Sequence, residues 1–231
     1  MIPFEELIAP VGMDNFYSKY KGKRHFYIKS NKPKFENHFS WTELDNYLNQ
    51  IKINGVWDRA PQLQVVLPDG DKWCKKKSEK KYSRKQIYDF WNQGCSFILT
   101  LSEFLNETMW KQCQEFEKHY GIGQANIYCS SQKDAKCFPI HADSTDNFLF
   151  HVRGKIRWYI YKEFADEGNY RPDDATLEEV VDLSDGDLLY IPKGKYHRVD
   201  TLSPRISISF HFQEAIPGKP YRRKEWYDWK P

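Results

Sequence analysis

The sequence of 231 residues contains no long hydrophobic run. Its longest apolar segments, Phe97–Leu101 and Leu188–Ile191, are far shorter than the roughly 20 apolar residues that a membrane-spanning helix needs. The first residues also lack a basic region followed by an apolar stretch, so we expect no signal peptide. These absences argue against a helical membrane protein, and we expect no membrane partner.

Cysteine is present but follows no recognisable pattern. The five cysteines are an odd number at irregular spacing without a Cys-x-x-Cys pair, at positions Cys74, Cys95, Cys113, Cys129 and Cys137. A disulfide framework or a structural zinc site requires paired cysteines at characteristic spacing. We therefore interpret these cysteines as small buried or inert residues and predict a cytoplasmic location, where thiols stay reduced.

A strong excess of one charge is also missing. The chain has 35 basic and 32 acidic side chains, a formal net charge of +3. Dedicated nucleic-acid binders usually carry a larger basic excess, so we do not expect a nucleic-acid partner. Five lysines between positions 75 and 81 predict a solvated loop. The alternative function of a nucleic-acid demethylase has no support in the sequence other than this cluster.

The first half of the chain shows the signals of helices. Ser40 is followed three residues later by Glu43, which is the pattern of a capping box. Ser83 opens a second helix that Gly94 ends, and residues 102–120 have an amphipathic pattern. We expect these helices to support the strands that follow.

The second half changes to short strands separated by turns. We predict strands over residues 62–67, 95–101, 125–130, 147–152, 156–161, 187–191 and 205–212. This order predicts the α+β class, with helices mainly from the N-terminal half and the strands arranged as a sandwich or barrel. We treat residues 1–231 as one domain, in which 1–120 give support, 121–212 form the barrel core with the metal site, and 213–231 form a C-terminal tail.

One motif in the second half has the spacing of a metal site. His141 and Asp143 are two residues apart in an extended segment, so their side chains project to one face with alpha carbons about 6.5 Å apart. His197 follows a short strand and a Pro-Gly turn that return the chain toward this pair. Two histidines and one carboxylate form the facial triad that leaves positions open on Fe(II). The alternatives are a surface His–Asp pair, a buried structural histidine, or another metal such as manganese, nickel or zinc.

The same segments resemble a known family. Residues 141–161, HADSTDNFLFHVRGKIRWYIY, and the later DGDLLYIPKGKYHRV are similar to the metal-binding strands of the Jumonji C and cupin-like oxygenases. The similarity is strongest to the ribosomal oxygenases, which hydroxylate protein side chains. The features in register are His141, Asp143, Asp146, Phe148, Gly154 and Trp158. The resemblance implies a double-stranded β-helix of the jelly-roll or cupin type.

The resemblance also implies an activity. It indicates an Fe(II)- and 2-oxoglutarate-dependent dioxygenase in which His141, Asp143 and His197 bind the metal at the catalytic centre. The implied substrate is an amino-acid side chain, and a protein or peptide is favoured. Two alternatives stay open: a hydroxylase of a free amino acid or small natural product, and a cupin-type metal protein without oxygenase activity.

One position departs from the pattern of this family. Its members commonly hold the distal carboxylate of 2-oxoglutarate with a Lys or Arg two residues after the glycine, where this chain has Ile156. Arg205 and Ser207 resemble the Arg-x-Ser pair that holds this carboxylate in other 2-oxoglutarate oxygenases. A guanidinium suits the task because its planar fork makes two charge-assisted hydrogen bonds to one carboxylate. We therefore predict that Arg205 and Ser207 bind the co-substrate, and the alternative is an arginine paired with a structural Asp or Glu.

Alternation along the strand over 205–212 supports this prediction. It places Arg205, Ser207, Ser209 and His211 on one face, and Ile206, Ile208, Phe210 and Phe212 on the other. The resemblance further makes Asn126 and Tyr128, which share a face of an earlier strand, candidate co-substrate contacts, although ordinary core or rim positions suit them equally. His151 is interpreted as a supporting or substrate-contacting residue, with packing as the alternative.

Overall fold

A computed structural model of the chain describes residues 1–50, 53–54, 61–67, 76–77, 81–121, 123–135, 137–165 and 174–212, with only the backbone described at 53–54 and 76–77. The predicted C-terminal tail, residues 213–231, and Lys75 and Lys80 of the lysine cluster lie outside this set. The predicted division of the chain into support, core and tail therefore stays a prediction.

Short helices cover the N-terminal half. In chain order the helical elements are α1 (Phe4–Leu7), α2 (Met13–Asn15), a π-helical turn (Phe16–Tyr20), α3 (Trp41–Leu48), α4 (Arg84–Asn92), a 3-10 turn (Ser102–Phe104) and α5 (Glu107–Glu117). Both predicted N-caps are confirmed. Ser40 Oγ accepts a hydrogen bond from the backbone N–H of Glu43 at 3.2 Å, and Ser83 forms a reciprocal capping box with Gln86.

The helix predicted over residues 102–120 is shorter and is interrupted. Asn106 stands between the 3-10 turn and α5, and its side chain accepts a hydrogen bond from the N–H of Met109 at 2.8 Å. This cap starts a new helix, because an N-cap residue has an extended backbone that breaks the preceding turn. Within the described parts of the chain, no helix has the length and apolar character needed to cross a membrane.

Antiparallel strands form the rest of the described fold. In chain order they are β1 (Phe26–Ile28), β2 (Ile53–Asn54), β3 (Gln62–Val66), β4 (Lys76–Lys77), β5 (Lys81–Tyr82), β6 (Ser96–Thr100), β7 (Gly123–Ser130), β8 (Asp146–Arg153), β9 (Ile156–Phe164), β10 (Leu177–Leu183), β11 (Leu188–Ile191), β12 (Lys195–Thr201) and β13 (Arg205–Phe212). One sheet has the order β1-β11-β8-β13-β7-β6-β3-β4, and a second has the order β10-β9-β12. β2 and β5 form a separate pair.

The eight-stranded and three-stranded sheets pack face to face. Side chains from both sheets meet in an apolar cluster formed by Leu149, Ile156, Trp158, Ile160, Val181, Leu183, Leu189 and Ile191. The other face of the eight-stranded sheet is covered by helices, and the ring centre of Phe116 in α5 lies 4.9 Å from that of Phe148. The predicted α+β fold with a double-stranded β-helix is confirmed. In the described residues the two sheets form a jelly-roll sandwich and do not close into one barrel.

The predicted alternation along β13 is also confirmed. This strand lies between β7 and β8 near the middle of the larger sheet. The apolar residues of the helix-covered face are Ile206, Ile208, Phe210 and Phe212. The polar residues Arg205, Ser207 and Ser209 face the smaller sheet, where they line a cavity. β13 therefore carries polar side chains into the space between the sheets.

Candidate metal centre and active site

The three predicted metal ligands come together beside β12. His141 and His197 exchange both backbone hydrogen bonds, with N···O distances of 3.0 Å and 2.8 Å, and their ring centres lie 4.4 Å apart. Asp143 Oδ1 lies 4.0 Å from Nε2 of His141, and Oδ2 lies 3.6 Å from Nε2 of His197. One ligand atom from each residue lies within 4.8 Å of the other two, so the set can surround one ion.

The hydrogen bonds of the two imidazoles leave the same nitrogen available in each. Nδ1 of His141 lies 2.8 Å from the carbonyl oxygen of Pro139, and Nδ1 of His197 lies 2.9 Å from that of Lys195. A carbonyl oxygen only accepts, so each Nδ1 is the protonated donor and each Nε2 keeps its lone pair. The Nε2 atoms are the ones that approach Asp143, and this tautomer is the one that binds a metal through Nε2.

The electrostatic environment keeps His197 in its metal-binding form. Its side chain is buried, whereas His141 and Asp143 are partly exposed. Burial, and secondarily the neighbouring His141, lower the pKa of His197 to about 4. The imidazole is therefore neutral at physiological pH, as a metal ligand must be.

Asn147 on β8 holds the carboxylate of the set, and this residue was not predicted from the sequence. Its Nδ2 donates to Asp143 Oδ2 at 2.8 Å, and Ser209 Oγ donates to Asn147 Oδ1 at 3.1 Å. Two hydrogen bonds in series thus connect the carboxylate to β13. The available signal was a lone amide directly before the apolar run Phe148–Phe150, four residues after Asp143.

An inner cavity extends from the three ligands into the space between the sheets. Its empty volume is about 630 Å³, part of it open to solvent. The polar side chains of its wall, apart from the three ligands, are Ser96, Tyr128, Asn147, Arg205, Ser207 and Ser209. Among the described residues, Arg205 is the only arginine or lysine in this wall.

Arg205 is a buried cation in contact with neutral groups. The residue is 4% exposed, and its Nε and Nη1 donate to Ser130 Oγ at 3.3 Å and to Ser207 Oγ at 3.5 Å. Nη2 donates to Cys137 Sγ at 3.2 Å. No carboxylate in the described ranges lies within 4.0 Å of its guanidinium, so the alternative of a structural ion pair finds no support there. A buried charge without a counter-ion is costly, which points to an anionic ligand.

His151 supports Ser207 from β8. Its Nδ1 lies 3.0 Å from Ser207 Oγ, and the histidine lines neither of the cavities near the metal centre. Burial lowers the pKa of His151 to about 4, so the ring is neutral. The structure therefore places this residue in a supporting position rather than in a substrate contact.

Ile156 lies in the apolar cluster between the sheets and lines neither cavity. Two residues further along β9, the ring of Trp158 packs 5.4 Å from that of His197, centre to centre. At the position where the resemblance expects a cation, the chain thus has a packed aliphatic side chain. Arg205, the cation of the inner cavity wall, lies in the other sheet, on β13.

A second, outer cavity adjoins the same metal centre. Its empty volume is about 970 Å³, and its wall includes His141, Asp143 and Tyr128. It adds the polar residues Gln124, Asn126, Ser144, Thr145 and His211. Tyr128 lines both cavities, whereas Asn126 lines only the outer one. Burial raises the pKa of Tyr128, so its hydroxyl stays protonated and can donate a hydrogen bond.

Two packed antiparallel sheets with a His-x-Asp pair and a distant histidine beside the cavity between them define the double-stranded β-helix class of metal-binding proteins. Within this class, a family model described as "JmjC domain" matches residues 100–217, just over half of the chain. The chain belongs to the JmjC domain family.

Relatives in this family are longer than the chain. It is 29% identical over 235 residues to the "Bifunctional lysine-specific demethylase and histidyl-hydroxylase NO66" of Dictyostelium discoideum, covering 96% of this chain and 43% of that protein. It is 25% identical over 238 residues to "Ribosomal oxygenase 1" of Danio rerio, covering 97% and 41%. The chain therefore spans less than half the length of these curated relatives.

Solved structures show the same fold. YcfD, a ribosomal oxygenase from Escherichia coli, matches with a TM-score of 0.64 at 19% identity, covering 93% of this chain and 53% of that chain. The same protein in complex with cobalt and 2-oxoglutarate matches with a TM-score of 0.63 at 18% identity, with the same coverage. Likeness at this level of identity supports the fold described above.

Proposed function

We propose that this chain is an Fe(II)- and 2-oxoglutarate-dependent oxygenase that hydroxylates an amino-acid side chain in a protein or peptide. One observation carries the proposal. The two-histidine, one-carboxylate set adjoins a cavity that contains a buried arginine without an acidic partner among the described residues. A metal site with open positions and a carboxylate anchor are the two features that a 2-oxo dicarboxylate requires.

The donor set fits Fe(II). Two imidazole nitrogens and a carboxylate oxygen are the ligands of non-haem iron oxygenases, and His141, Asp143 and His197 would hold the ion. Bound Fe(II) and 2-oxoglutarate would supply the oxidant that hydroxylates a C–H bond, with release of succinate and CO2. Asn147 would keep the carboxylate of Asp143 oriented toward the ion through its 2.8 Å hydrogen bond.

Arg205 and Ser207 would bind the distal carboxylate of the co-substrate. The guanidinium is fixed by three neutral acceptors, and His151 fixes the hydroxyl of Ser207 from behind. Tyr128 lines both the inner and the outer cavity and is a second co-substrate contact. Asn126, predicted from the resemblance as a co-substrate contact, lines the outer cavity and is better placed to touch the substrate.

The outer cavity favours a neutral polar side chain as the substrate, such as the imidazole of histidine. Its wall offers the amides of Gln124 and Asn126, while Asp143, the only carboxylate in the described wall, is used as a metal ligand. A cationic methylated lysine would find no free counter-ion there. The name of the Dictyostelium relative includes both activities, and this wall supports histidyl hydroxylation for the present chain.

The second candidate is a cupin-type metal protein without oxygenase activity. It is favoured by Ile156, which stands on β9 where the family pattern has a lysine or arginine. The hydroxylation of a free amino acid or small natural product is the remaining alternative. A cytoplasmic location also stays a prediction. It is supported by the free thiols of Cys95, Cys113, Cys129 and Cys137.

The test is the release of succinate from 2-oxoglutarate by the Fe(II)-loaded protein with ascorbate and oxygen. It is run with histidine-containing peptides, with methyl-lysine peptides, with free amino acids, and without substrate. Asp143→Ala should lower turnover by at least about 100-fold, because it removes a ligand of the metal. Asp182→Ala, which removes an exposed carboxylate paired with Arg157, is the matched control and should keep turnover.

Each outcome separates the candidates. Full activity of Asp143→Ala would show that the ligand assignment is wrong. Tight metal binding without succinate release in any arm would select the cupin-type metal protein. Hydroxylation of free amino acids but of no peptide would select the small-molecule alternative, and turnover with methyl-lysine alone would overturn the histidine assignment.

A further inference from the structure

Cys137 lies in the wall of the inner cavity, next to the guanidinium of Arg205. Its Sγ is 3.2 Å from Arg205 Nη2 and 3.3 Å from Thr201 Oγ1. Cys137 is partly exposed, whereas the other cysteines within the described ranges, Cys95, Cys113 and Cys129, are buried. Of the described thiols, Cys137 is therefore the one that a small solute entering the cavity can reach.

Two further groups of the cavity wall indicate, independently of the thiol, that the inner cavity suits an anion. Arg205 is 4% exposed and has no carboxylate within 4.0 Å among the described residues. The indole N–H of Trp158, a residue of the same cavity wall, is buried without a hydrogen-bond partner. A cation and an unused donor in one buried space have the chemistry of a site for an oxyanion.

We propose that Cys137 is a peroxide-oxidation site whose oxidised forms occupy the anion site of Arg205 and exclude the co-substrate. In the first step the sulfur attacks one oxygen of hydrogen peroxide. An S–O bond forms, the O–O bond breaks, and the second oxygen leaves as water with the thiol proton. The sulfur loses two electrons to give a sulfenic acid, and a second peroxide repeats the step to give a sulfinic acid, which ionises.

The position of the sulfur explains why this modification would block the cavity. Sγ already accepts a hydrogen bond from Nη2 of Arg205, so oxygen atoms added to it lie beside the guanidinium without a change of backbone. A sulfinate is an anion with two acceptor oxygens, and it would make the charge-assisted hydrogen bonds that a carboxylate makes. The sulfenic stage is reversible by thiols and the sulfinic stage is not.

The oxidation site itself does not depend on the proposed function, but its consequence for 2-oxoglutarate does. The experiment therefore uses the zinc-loaded protein, because Zn(II) has no redox chemistry that would consume peroxide. The protein is treated with hydrogen peroxide, catalase removes the excess, and peptide mass spectrometry locates the added oxygen. Binding of 2-oxoglutarate is then measured by calorimetry on treated and untreated samples.

We expect Cys137 to gain oxygen at least about tenfold faster than Cys95, and 2-oxoglutarate to slow this gain by occupying the same space. The oxidised protein should bind 2-oxoglutarate at least about tenfold more weakly than the untreated protein. Cys137→Ser, compared with its own untreated sample, should keep its affinity after peroxide. Cys95→Ala should remain as sensitive as the unmodified sequence and is the matched control.

The outcomes distinguish the inference from the proposed function. If untreated protein does not bind 2-oxoglutarate, the proposed function fails, while the location of the added oxygen still tests the oxidation site. Oxidation spread evenly over the cysteines overturns the site, and so does peroxide treatment that modifies Cys137 without weakening 2-oxoglutarate binding. If Cys137→Ser does not fold, the protection of Cys137 by 2-oxoglutarate in the unmodified sequence decides the question.

Discussion

At the scale of single residues, the cation that could anchor a carboxylate does not stand where the family pattern places it. The chain has Ile156 at that position, and Arg205 supplies a cation elsewhere. The family pattern places a cation on β9, two residues after Gly154, and this chain places it across the sandwich on β13. Ile156 is 1% exposed and packs in the apolar cluster, so it leaves no room for a charge there. The distal carboxylate of a ligand held at the metal would therefore point toward the larger sheet.

Replacement of Arg205 by methionine tests whether this residue binds the distal carboxylate of 2-oxoglutarate. Arg205→Met keeps much of the apolar stem but removes the fork, so we expect the KM for 2-oxoglutarate to rise by about 10- to 100-fold, since hydrogen bonds to charged groups contribute about 1.5–3 kcal/mol. Steady-state kinetics with varied 2-oxoglutarate measures the change. Arg157→Met removes an exposed arginine that pairs with Asp182, and its KM should stay unchanged. An unchanged KM in Arg205→Met would rule out the anchor.

Sequence patterns predicted the three candidate metal ligands, which the structure brings together, but not the groups around them. His141 and Asp143 are close in the chain, and His197 follows a turn that the sequence shows, so their meeting could be predicted. Asn147 was missed because its role depends on a contact with Ser209 on a strand that is distant in sequence. No local pattern reports a hydrogen bond between such strands.

At the scale of elements, the turn between β8 and β9 fixes how the two sheets are connected. Gly154 adopts a φ of +88°, a conformation that side chains other than glycine rarely adopt. A Cβ on this residue would lie 2.0 Å from the carbonyl oxygen of Pro204, in the turn that leads into β13. The turn between β8 and β9 and the turn before β13 thus pack directly on each other.

Gly154→Ala should be strongly destabilising because it adds a backbone clash to the strain of a positive φ. Gly12→Ala is the matched control, since Gly12 has a φ of +77° and nothing within 4 Å of its added Cβ. We expect the control to lose about 1–3 kcal/mol in the free energy of unfolding through backbone strain, and Gly154→Ala to lose at least about 2 kcal/mol more because of the added clash. Denaturant unfolding measures both values, and equal losses would contradict the role of the close contact.

The elements that could be predicted were those with strong local signals. Ser40 and Ser83 predicted the starts of two helices, and seven largely apolar runs predicted strands. All of these elements are present. β10 and β12 were missed because charged residues interrupt them, as in LEEVVDL and KYHRVDT. Their strand conformation depends on pairing with β9, which is a tertiary effect.

At the scale of the whole molecule, folding places several imidazoles in environments that oppose their charge, and burial lowers the pKa values of His38, His119, His151 and His197. Burial lowers the pKa values of His151 and His197 from 6.5 to about 4. In the unfolded chain these groups bind protons at higher pH than in the folded protein. Their contribution to stability is therefore present above about pH 6.5 and is lost as the pH falls toward 4.

We expect the free energy of unfolding of the metal-free protein to fall between pH 6.5 and pH 5. His151 and His197 should each contribute a slope of about 1.4 kcal/mol per pH unit, and His38 and His119 add to the fall in the same direction. His151→Gln, which lacks the titration but keeps hydrogen-bonding capacity toward Ser207, should lower that slope by about 1.4 kcal/mol per pH unit. Denaturant titrations at a series of pH values measure the effect. A slope that is the same with and without His151 would contradict the contribution of this residue.

The bridge between residues 141 and 197 has a consequence for how an ion is acquired. Because the backbone of residue 141 is hydrogen-bonded to that of residue 197, main-chain contacts alone place the two imidazoles side by side. Zinc fingers, by contrast, fold only around their metal. A chelator should therefore remove the metal ion reversibly and without unfolding the protein. The metal-free protein should then bind another suitable divalent ion.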